Sequence, residues 1–219
     1  MDIKDAMLER HMVRKYTYKP IPESVVEKLN ERISRNNGAN NLCVKLMTNG
    51  SNAVGAIIKF ILAKGVKNYF ILAGDAVADL EEKLGYVAAD LMLYAQTLGL
   101  NTWYVGGTFN RRVSKYVKSK KVVGIIVVGY GEKQGTPHKS KAAKDVSSVD
   151  DKTPEWFANG VETSLLAPTA LNKQDYIITR NGNKVKIENQ NGVFTGVNRG
   201  LIKYHFELGA GKENFEWMC

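Results

Sequence analysis

A continuous run of apolar, mostly β-branched residues at positions 122–128 constrains the fold of this chain more than any other feature. Such a run is typical of a strand that is buried on both faces. Helix-period segments elsewhere in the chain can cover such a sheet, but they do not alternate strictly with strands. We therefore expect an α+β fold in which helices flank a central mixed or antiparallel sheet.

The remaining elements follow from apolar periodicity, helix-capping residues and turn residues. Helices are predicted at 2–11, 22–33, 77–98, 153–166 and 200–208, with Thr153 as the N-cap of the fourth. Strands are predicted at 42–47, 68–72 and 102–105, and a hairpin at 176–180 and 184–188 around Asn181-Gly182. Residues 54–63 are helical or a buried segment, 133–151 a loop and 215–219 a tail.

Composition excludes several classes of protein. The 44% hydrophobic content of the 219 residues is too high for a disordered chain. Two cysteines, Cys43 and Cys219, do not make a disulfide framework, and the three histidines lack zinc-motif spacing. Neither a signal peptide nor an apolar segment of membrane-spanning length is present. We expect a cytoplasmic protein with no metal site and no membrane partner.

The net charge of +9 suggests an anionic partner. The cations are scattered in three short groups, near Arg10, near Arg111 and near Lys139, rather than along one helix. A solvated surface explains the middle group as well as a ligand does. We therefore expect no nucleic-acid partner, although a basic nucleic-acid-binding module is a third possibility that a steep salt dependence of binding would reveal.

The sequence contains a weak internal repeat. Asn40–Gly50 resembles Asn172–Gly182, and the spacing is constant (172 − 40 = 182 − 50 = 132). Glycine opens a helical segment after each copy, at Gly85 and at Gly200. The repeat predicts two similar halves about an approximate two-fold axis, at 1–150 and 151–219. Any two strand–turn–helix units would share part of this pattern, so coincidence is the alternative.

Three segments can hold an anionic, flat ligand. Arg10, His11, Arg14 and Lys15 crowd cations that a phosphate would neutralise, although a solvated helix terminus is the alternative. Gly106 and Gly107 follow a predicted strand, and the lack of side chains would let a flat ring lie against the backbone. Residues 167–174 offer small and amide side chains to a polyol chain. An ordinary turn and a helix-stop loop are the alternatives for these two.

Together these segments resemble the FMN-dependent nitroreductase family, and more specifically a single-chain, pseudo-dimeric branch of it. The resemblance covers Asp2 to about Gln174. It rests on the opening from Asp2 to Arg14, on the helix and strand from Gly85 to Gly107, and above all on Ala167–Gln174, which is similar to the family's Ala-Pro-Ser-x-x-Asn-x-Gln motif.

The resemblance implies a nitroreductase-like fold and a set of FMN contacts. Arg10 and His11 would contact the phosphate and the ribityl chain, Arg14 the pyrimidine edge of the ring, and the Gly106–Gly107 backbone the N5 region. Lys139 and Lys141 would be basic phosphate ligands. The opposite side of the ribityl chain and ring would be lined by Pro168, Thr169, Ala170 and Asn172, with Gln174 beside them.

The sequence departs from the family pattern in three places. Met12 replaces the usual phosphate-binding serine, and Gly106 stands where a glutamate often precedes the N5-facing glycine. The Pro-Ser-x-x-Asn motif is missing from residues 35–42, and its counterpart begins at Pro168. In the family's homodimers this motif reaches the flavin of the other subunit. The displacement implies one chain that builds one FMN site, so that a monomer is possible.

The resemblance implies an FMN-dependent NAD(P)H oxidoreductase with ping-pong kinetics. Electrons would pass from NADH or NADPH to a small-molecule acceptor such as an aromatic nitro compound or a quinone, without a catalytic side chain. His205 and Glu207 can approach the open face of the site, although a structural role is the alternative for both. A flavin-binding storage or sensing protein without efficient turnover is the alternative function.

Overall fold

Helices and short strands are distributed over two separate sheets. The computed structural model describes residues 1–50, 53–55, 63–150, 152–189 and 192–218. The helices are α1 (Ile3–Glu9), α2 (Glu23–Asn40), α3 (Leu80–Thr97), α4 (Ala143–Val146), α5 (Glu155–Ser164) and α6 (Thr195–Ala210). The strands are β1 (Lys45–Met47), β2 (Asn68–Gly74), β3 (Asn101–Val105), β4 (Lys121–Gly129), β5 (Tyr176–Asn181), β6 (Lys184–Asn189) and β7 (Glu216–Trp217). This mixture confirms the predicted α+β class.

The first sheet is antiparallel throughout, with the strand order β1-β2-β4-β3. Strand β4 lies between two neighbours, and its alternate residues enter two different hydrophobic clusters. Ile126 and Val128 belong to the larger cluster, whereas Ile125 and Val127 belong to the smaller one. The apolar run at 122–128 is therefore a strand buried on both faces, as its sequence predicts.

Helices α3 and α6 cross closely at two glycines. A Cβ atom on Gly85 would lie closer than 3.0 Å to the carbonyl oxygen of Val197, and one on Gly200 closer than 3.0 Å to the carbonyl oxygen of Glu82. Only glycine permits this approach of two helix backbones. The crossing joins the parts of the chain before and after residue 150.

The second sheet has the order β5-β6-β7. The predicted hairpin is present, but its two turn residues are Gly182, at a φ of 61°, and Asn183, because Asn181 is still in β5 and pairs with Lys184. The end of the chain, which we predicted as a tail, instead contains β7, which pairs in parallel with β6. The backbone N–H of Glu216 donates to the carbonyl of Asn183, and the indole of Trp217 donates to Glu207. These tertiary bonds have no local sequence signal.

Several predicted boundaries differ from the structure. The predicted loop 133–151 contains the short helix α4. Pro154 rather than Thr153 is the N-cap of α5, because the Thr153 hydroxyl is hydrogen bonded to Asp150. Helix α6 begins at Thr195, five residues before the predicted start. Most of the predicted element at 54–63 lies outside the described residues.

A buried polar network holds three helices together. Arg32 on α2 forms a two-pronged ion pair with Asp90 on α3, and Asn36 and Tyr204 also donate to this carboxylate. Burial acts to raise the pKa of Asp90, but these hydrogen bonds outweigh burial and hold the pKa below its usual value. The larger core cluster likewise includes residues on both sides of position 150. The division into 1–150 and 151–219 stays a prediction.

Within the part of the chain that the structure describes, no helix combines the length and hydropathy needed to cross a membrane.

Candidate cofactor site

Arg10 is a buried cation at the end of α1. Its side chain is 6% exposed, and burial lowers the pKa of its guanidinium to about 10, although the nearby Tyr16 opposes this shift. Among the described residues, Arg10 has no ion-pair partner and no side-chain hydrogen bond. An unpaired charge is costly to bury, so this position favours an anionic ligand.

Two histidines, His11 and His205, lie within electrostatic range of both Arg10 and His138. Burial, then the charges of Arg10 and His138, lower the pKa of His11. Burial also lowers the pKa of His205 to about 3, and Arg10 and His138 contribute to that shift. Repulsion among these groups would be relieved by an anion. The described residues contain no group of three or more His, Cys, Asp or Glu that could hold a metal ion.

Two of the predicted site segments, around Lys139 and around Asn172, meet in the structure. The Asn172 side chain donates to the carbonyl of Lys139 at 2.7 Å, and the Lys141 N–H donates to Gln174 at 2.7 Å. His138 Nε2 donates to the carbonyl of Leu165 at 3.0 Å. The structure thus brings together a segment that follows β4 and one that follows α5.

Lys141 and Gln174 are engaged with each other rather than left free. The Lys141 ammonium lies 3.0 Å from the Gln174 carbonyl and 3.4 Å from Asp175. Gln174 is 1% exposed and also donates to Leu165. Both residues therefore fix the loop. Lys139 is exposed and makes no ion pair within the described residues, so its ammonium can reach an anion.

The loop at 168–174 has an unusual backbone. Leu171, Asn172 and Gln174 all have φ between 50° and 53°, in the left-handed region that β-carbon-bearing residues seldom adopt. Leu171 is nevertheless 88% exposed, so side-chain packing does not hold this shape. The Ala170 N–H anchors the loop by donating to Asn198 on α6 at 3.0 Å. Thr169 is buried, and its hydroxyl has no partner among the described residues. A strained backbone and an orphaned hydroxyl are typical of a ligand-binding loop.

Met12 and Arg14 lie beside strand β3. Met12 forms an isolated parallel bridge to Thr102, and its side chain is 47% exposed. The Arg14 guanidinium lies over the Trp103 ring at 5.5 Å from its centre, and its buried Nε finds no partner within the described segments. The ring holds the cation in place and leaves Nε available to an acceptor.

Gly106 and Gly107 follow β3 as predicted, but an aromatic ring already lies against them. A Cβ atom on Gly106 would be 2.6 Å from the Phe194 ring, and one on Gly107 3.6 Å from it. Phe194 immediately precedes α6. The missing Cβ atoms therefore have a packing reason within the chain itself, in addition to the flavin contact that the resemblance implies.

Sequence reasoning missed several residues of this site. His138, Phe194 and Asn198 were not predicted, and His205 was expected only to approach the open face of the site, with a structural role as the alternative. Each comes to the site only through tertiary packing, since no local motif contains them. The proximity of His138 to Lys139 in the sequence was the one available signal.

The folds of solved structures are similar to this one. A "putative nitroreductase" of Thermotoga maritima gives a TM-score of 0.67 at 22% identity, over 95% of this chain and 83% of that chain. A nitroreductase-like protein of Streptococcus mutans gives 0.55 at 14% identity, over 68% of this chain and 98% of that chain. A nitroreductase of Desulfovibrio desulfuricans, solved in complex with FMN, gives 0.50 at 13% identity, over 70% of this chain and 99% of that chain.

The sequence comparisons differ in outcome. No curated protein matches this chain. A family model, described as "Putative TM nitroreductase", matches residues 2–210, which is nearly the whole chain. The fold, the match and the predicted resemblance agree, and the chain belongs to this nitroreductase family.

Proposed function

We propose that this protein is an FMN-dependent oxidoreductase that takes electrons from NADH or NADPH and passes them to an aromatic nitro compound, a quinone or a similar acceptor. The observation that carries the proposal is Arg10, a buried guanidinium with no anionic partner among the described residues. Phosphate matches the guanidinium fork of arginine through paired hydrogen bonds. The similar Desulfovibrio protein, solved with FMN, supports the choice of cofactor.

Three of the seven buried polar atoms that lack partners within the described residues fit such a cofactor. Arg14 Nε, Thr169 Oγ1 and His205 Nε2 are all buried and unpartnered within the described residues. They offer a donor, a hydroxyl and a ring nitrogen around Arg10 and the loop at 168–174. A phosphate ester with a hydroxylated chain presents both acceptors and donors, so it can satisfy these atoms together.

We assign the phosphate and the ribityl chain to Arg10, His11 and the backbone at Met12, with Lys139 as a further cation. Lys141 is the weakest of the predicted ligands, because its ammonium already bonds to Gln174 and Asp175.

The ring and the remainder of the ribityl chain are assigned to the other predicted residues. Arg14 would place a positive charge beside the pyrimidine edge. The Gly106–Gly107 backbone would face N5, and the opposite side would be lined by Pro168, Thr169, Ala170 and Asn172.

When bound, FMN supplies hydride acceptance from the nicotinamide and electron donation to the acceptor in alternating, ping-pong half-reactions. The chain's own contribution is to bind and orient the ring and to set its electrostatic surroundings. No described side chain is needed as a general acid.

We further propose that one chain builds a single site from two similar halves. The crossing of α3 and α6 supports this, because the contacts are reciprocal: Gly85 meets Val197, and Gly200 meets Glu82, each three residues before the other glycine. Reciprocal contacts are typical of a two-fold axis. Two of the similar structures match 68% and 70% of this chain over 98% and 99% of their own lengths, so this chain is longer than a unit that they contain.

In the first half, the segment that corresponds to the site loop has its side chains engaged in hydrogen bonds within the protein. Asn36 and Asn37 stand where Pro168 and Thr169 stand in the second copy of the repeat. Asn36 donates to Asp90, and Asn37 is bonded twice to the backbone of Val44. These side chains are not free to bind a second flavin. This supports one FMN per chain.

A flavin titration followed by anaerobic reduction tests the proposal. We expect saturation with FMN, bleaching of the flavin absorbance by NADH or NADPH, and parallel double-reciprocal lines when donor and acceptor are varied. Arg14→Ala should weaken FMN retention or lower the reduction potential, whereas Arg112→Ala, an exposed arginine outside the site, should change neither. Failure to bind FMN would overturn the proposal.

Phe194 favours a second candidate function, a flavin-binding storage or sensing protein without efficient turnover. Its ring covers the Gly106–Gly107 turn at which an acceptor would approach N5. FMN binding with no NAD(P)H oxidation would support this alternative. Faster turnover in Phe194→Ala than in the native protein would indicate that the ring limits access to a competent site.

A further inference from the structure

His205 presents a buried hydrogen-bond acceptor that the fold does not use. The residue is 1% exposed, and its Nδ1 lies 2.8 Å from the carbonyl oxygen of Leu201, one turn earlier in α6. Because a carbonyl can only accept, Nδ1 carries the hydrogen in the neutral ring. Nε2 then carries a lone pair, and it has no partner in the described part of the chain. Leaving such an atom unsatisfied costs folding free energy.

Burial, together with the charged groups around it, keeps the ring of His205 neutral. Arg10 at the end of α1 and His138 in the segment after β4 are the titratable groups that act on it, and both disfavour a second proton. On α6 itself, the edge of the ring contacts Tyr204, whose hydroxyl is bonded to Asp90. The carboxylate of Glu207 is occupied by Tyr86, Lys212 and Trp217. No described carboxylate is therefore available to stabilise a protonated His205.

A neutral acceptor and a buried cation select different parts of one ligand. Arg10 suits a phosphate, but the lone pair on Nε2 repels a phosphate oxygen and needs a donor such as a hydroxyl. We propose that His205 is a positioning residue that accepts a hydrogen bond from a hydroxyl of the ligand's polyol chain, so that the site selects a phosphate ester with a hydroxylated chain over phosphate alone. This inference rests on the proposed function, in which the polyol is the ribityl chain of FMN.

The competing arrangement is a protonated His205 that donates to the phosphate. It would require the ring to take up a proton when the ligand binds, against burial and the charge of Arg10. The two arrangements differ in ligand selectivity and in the number of protons taken up. His11 can also take up a proton near a phosphate, so proton uptake must be compared between variants rather than read from one protein.

Three chains distinguish the arrangements: the native protein, His205→Phe and His205→Gln. Phenylalanine keeps a similar ring without an acceptor, and glutamine offers an amide oxygen in place of Nε2. FMN affinity is measured by calorimetry at pH 7 in two buffers of different ionisation enthalpy, and inorganic phosphate affinity by competition with FMN. We expect His205→Phe to weaken FMN about 10-fold, as for one lost hydrogen bond, and to leave phosphate within about 2-fold. His205→Gln should recover most of the FMN affinity.

Proton uptake decides the case even where His205→Phe does not fold. The native protein and His205→Gln should take up the same number of protons with FMN. Uptake of about one additional proton by the native protein would overturn the inference, as would equal FMN affinity in all three chains or equal losses for FMN and phosphate. Failure of the native protein to bind FMN would instead overturn the proposed function itself.

Discussion

Asp90 on α3 and His205 on α6 occupy matching positions, each five residues after the glycine at which the two helices cross. Their surroundings are opposite. Asp90 receives hydrogen bonds from Arg32, Asn36 and Tyr204, whereas His205 Nε2 receives none from the described residues. The protein satisfies the side chain at the first position, whereas at the second the buried Nε2 of His205 stays without a partner in the described residues. Under the proposal of two similar halves, this asymmetry is expected if one half kept its ligand site and the other lost it.

Removing the carboxylate charge of Asp90 should destabilise the fold. Asp90→Asn removes the charge that compensates Arg32, and we expect the free energy of unfolding to fall by about 2–3 kcal/mol, less than for a fully buried pair because Arg32 keeps contact with solvent. Asp79→Asn breaks a surface ion pair with Lys83 and should cost under about 0.5 kcal/mol. Urea denaturation of both variants checks this. Equal effects would show that the buried network does not hold the helices together.

Because His205 is buried in its neutral form, the free energy of unfolding should fall as the solution becomes acidic. The pKa of His205 is lowered to about 3 in the folded chain, from an ordinary value of 6.5. As the pH falls below 6.5, the unfolded chain gains a proton that the folded chain does not, so stability that is complete above pH 6.5 is lost progressively towards pH 3. The loss approaches about 1.4 kcal/mol per pH unit.

His205→Gln isolates this contribution, because the other histidines are the same in both proteins. Urea denaturation at pH 7.5, 5.5 and 4.5 should show the variant losing less stability than the native protein. Parallel pH profiles would contradict a neutral, buried His205.

The helix crossing should tolerate no side chain at its glycines. Gly85→Ala places a methyl group against the Val197 carbonyl, and we expect a loss of about 3 kcal/mol or a failure to fold. Gly38→Ala is the matched control, because Gly38 lies in helix α2 with nothing within 4 Å of the added carbon. That substitution should stabilise the protein by about 0.5–1 kcal/mol through helix propensity. Thermal unfolding of the two variants checks the difference in sign.

Replacing Arg10 should weaken FMN binding without lowering the stability of the flavin-free protein. Arg10→Met removes a buried charge that lacks a partner among the described residues, so the flavin-free protein should be as stable as the native chain or more stable. FMN affinity should fall by about 100-fold or more, since a charge-assisted phosphate contact is lost. Arg112→Met, at an exposed position, should leave both quantities unchanged. Loss of stability without loss of FMN affinity would indicate a structural role for Arg10 alone.

Local sequence patterns predicted the helices and strands that are determined by local interactions. The run at 122–128 gave β4, and Asn181-Gly182 gave the β5–β6 hairpin. The elements that the sequence did not predict depend on tertiary contacts. Thr153 bonds to Asp150 instead of capping α5, and β7 exists because Glu216 and Trp217 bond to residues that are distant in the sequence or on another element.

The site was predictable only as separate segments. The charge of Arg10 and the pattern at 168–172 identified two segments of the candidate site. Apart from the position of His138 next to Lys139, nothing in the sequence around His138, Phe194 or Asn198 indicates that folding brings them to the candidate site. The burial of Arg10 and of His205, which gives both residues their significance, is likewise a property of the packed chain.

The number of flavins bound by one chain tests the account most directly. Sedimentation of the FMN-loaded protein, followed at a flavin wavelength and at a protein wavelength, gives the mass of the flavin-carrying species and its FMN content together. The account predicts one FMN per chain, carried by a species with the mass of a single 24.3 kDa chain. An absence of bound flavin, two FMN per chain, or flavin confined to a dimer would contradict it.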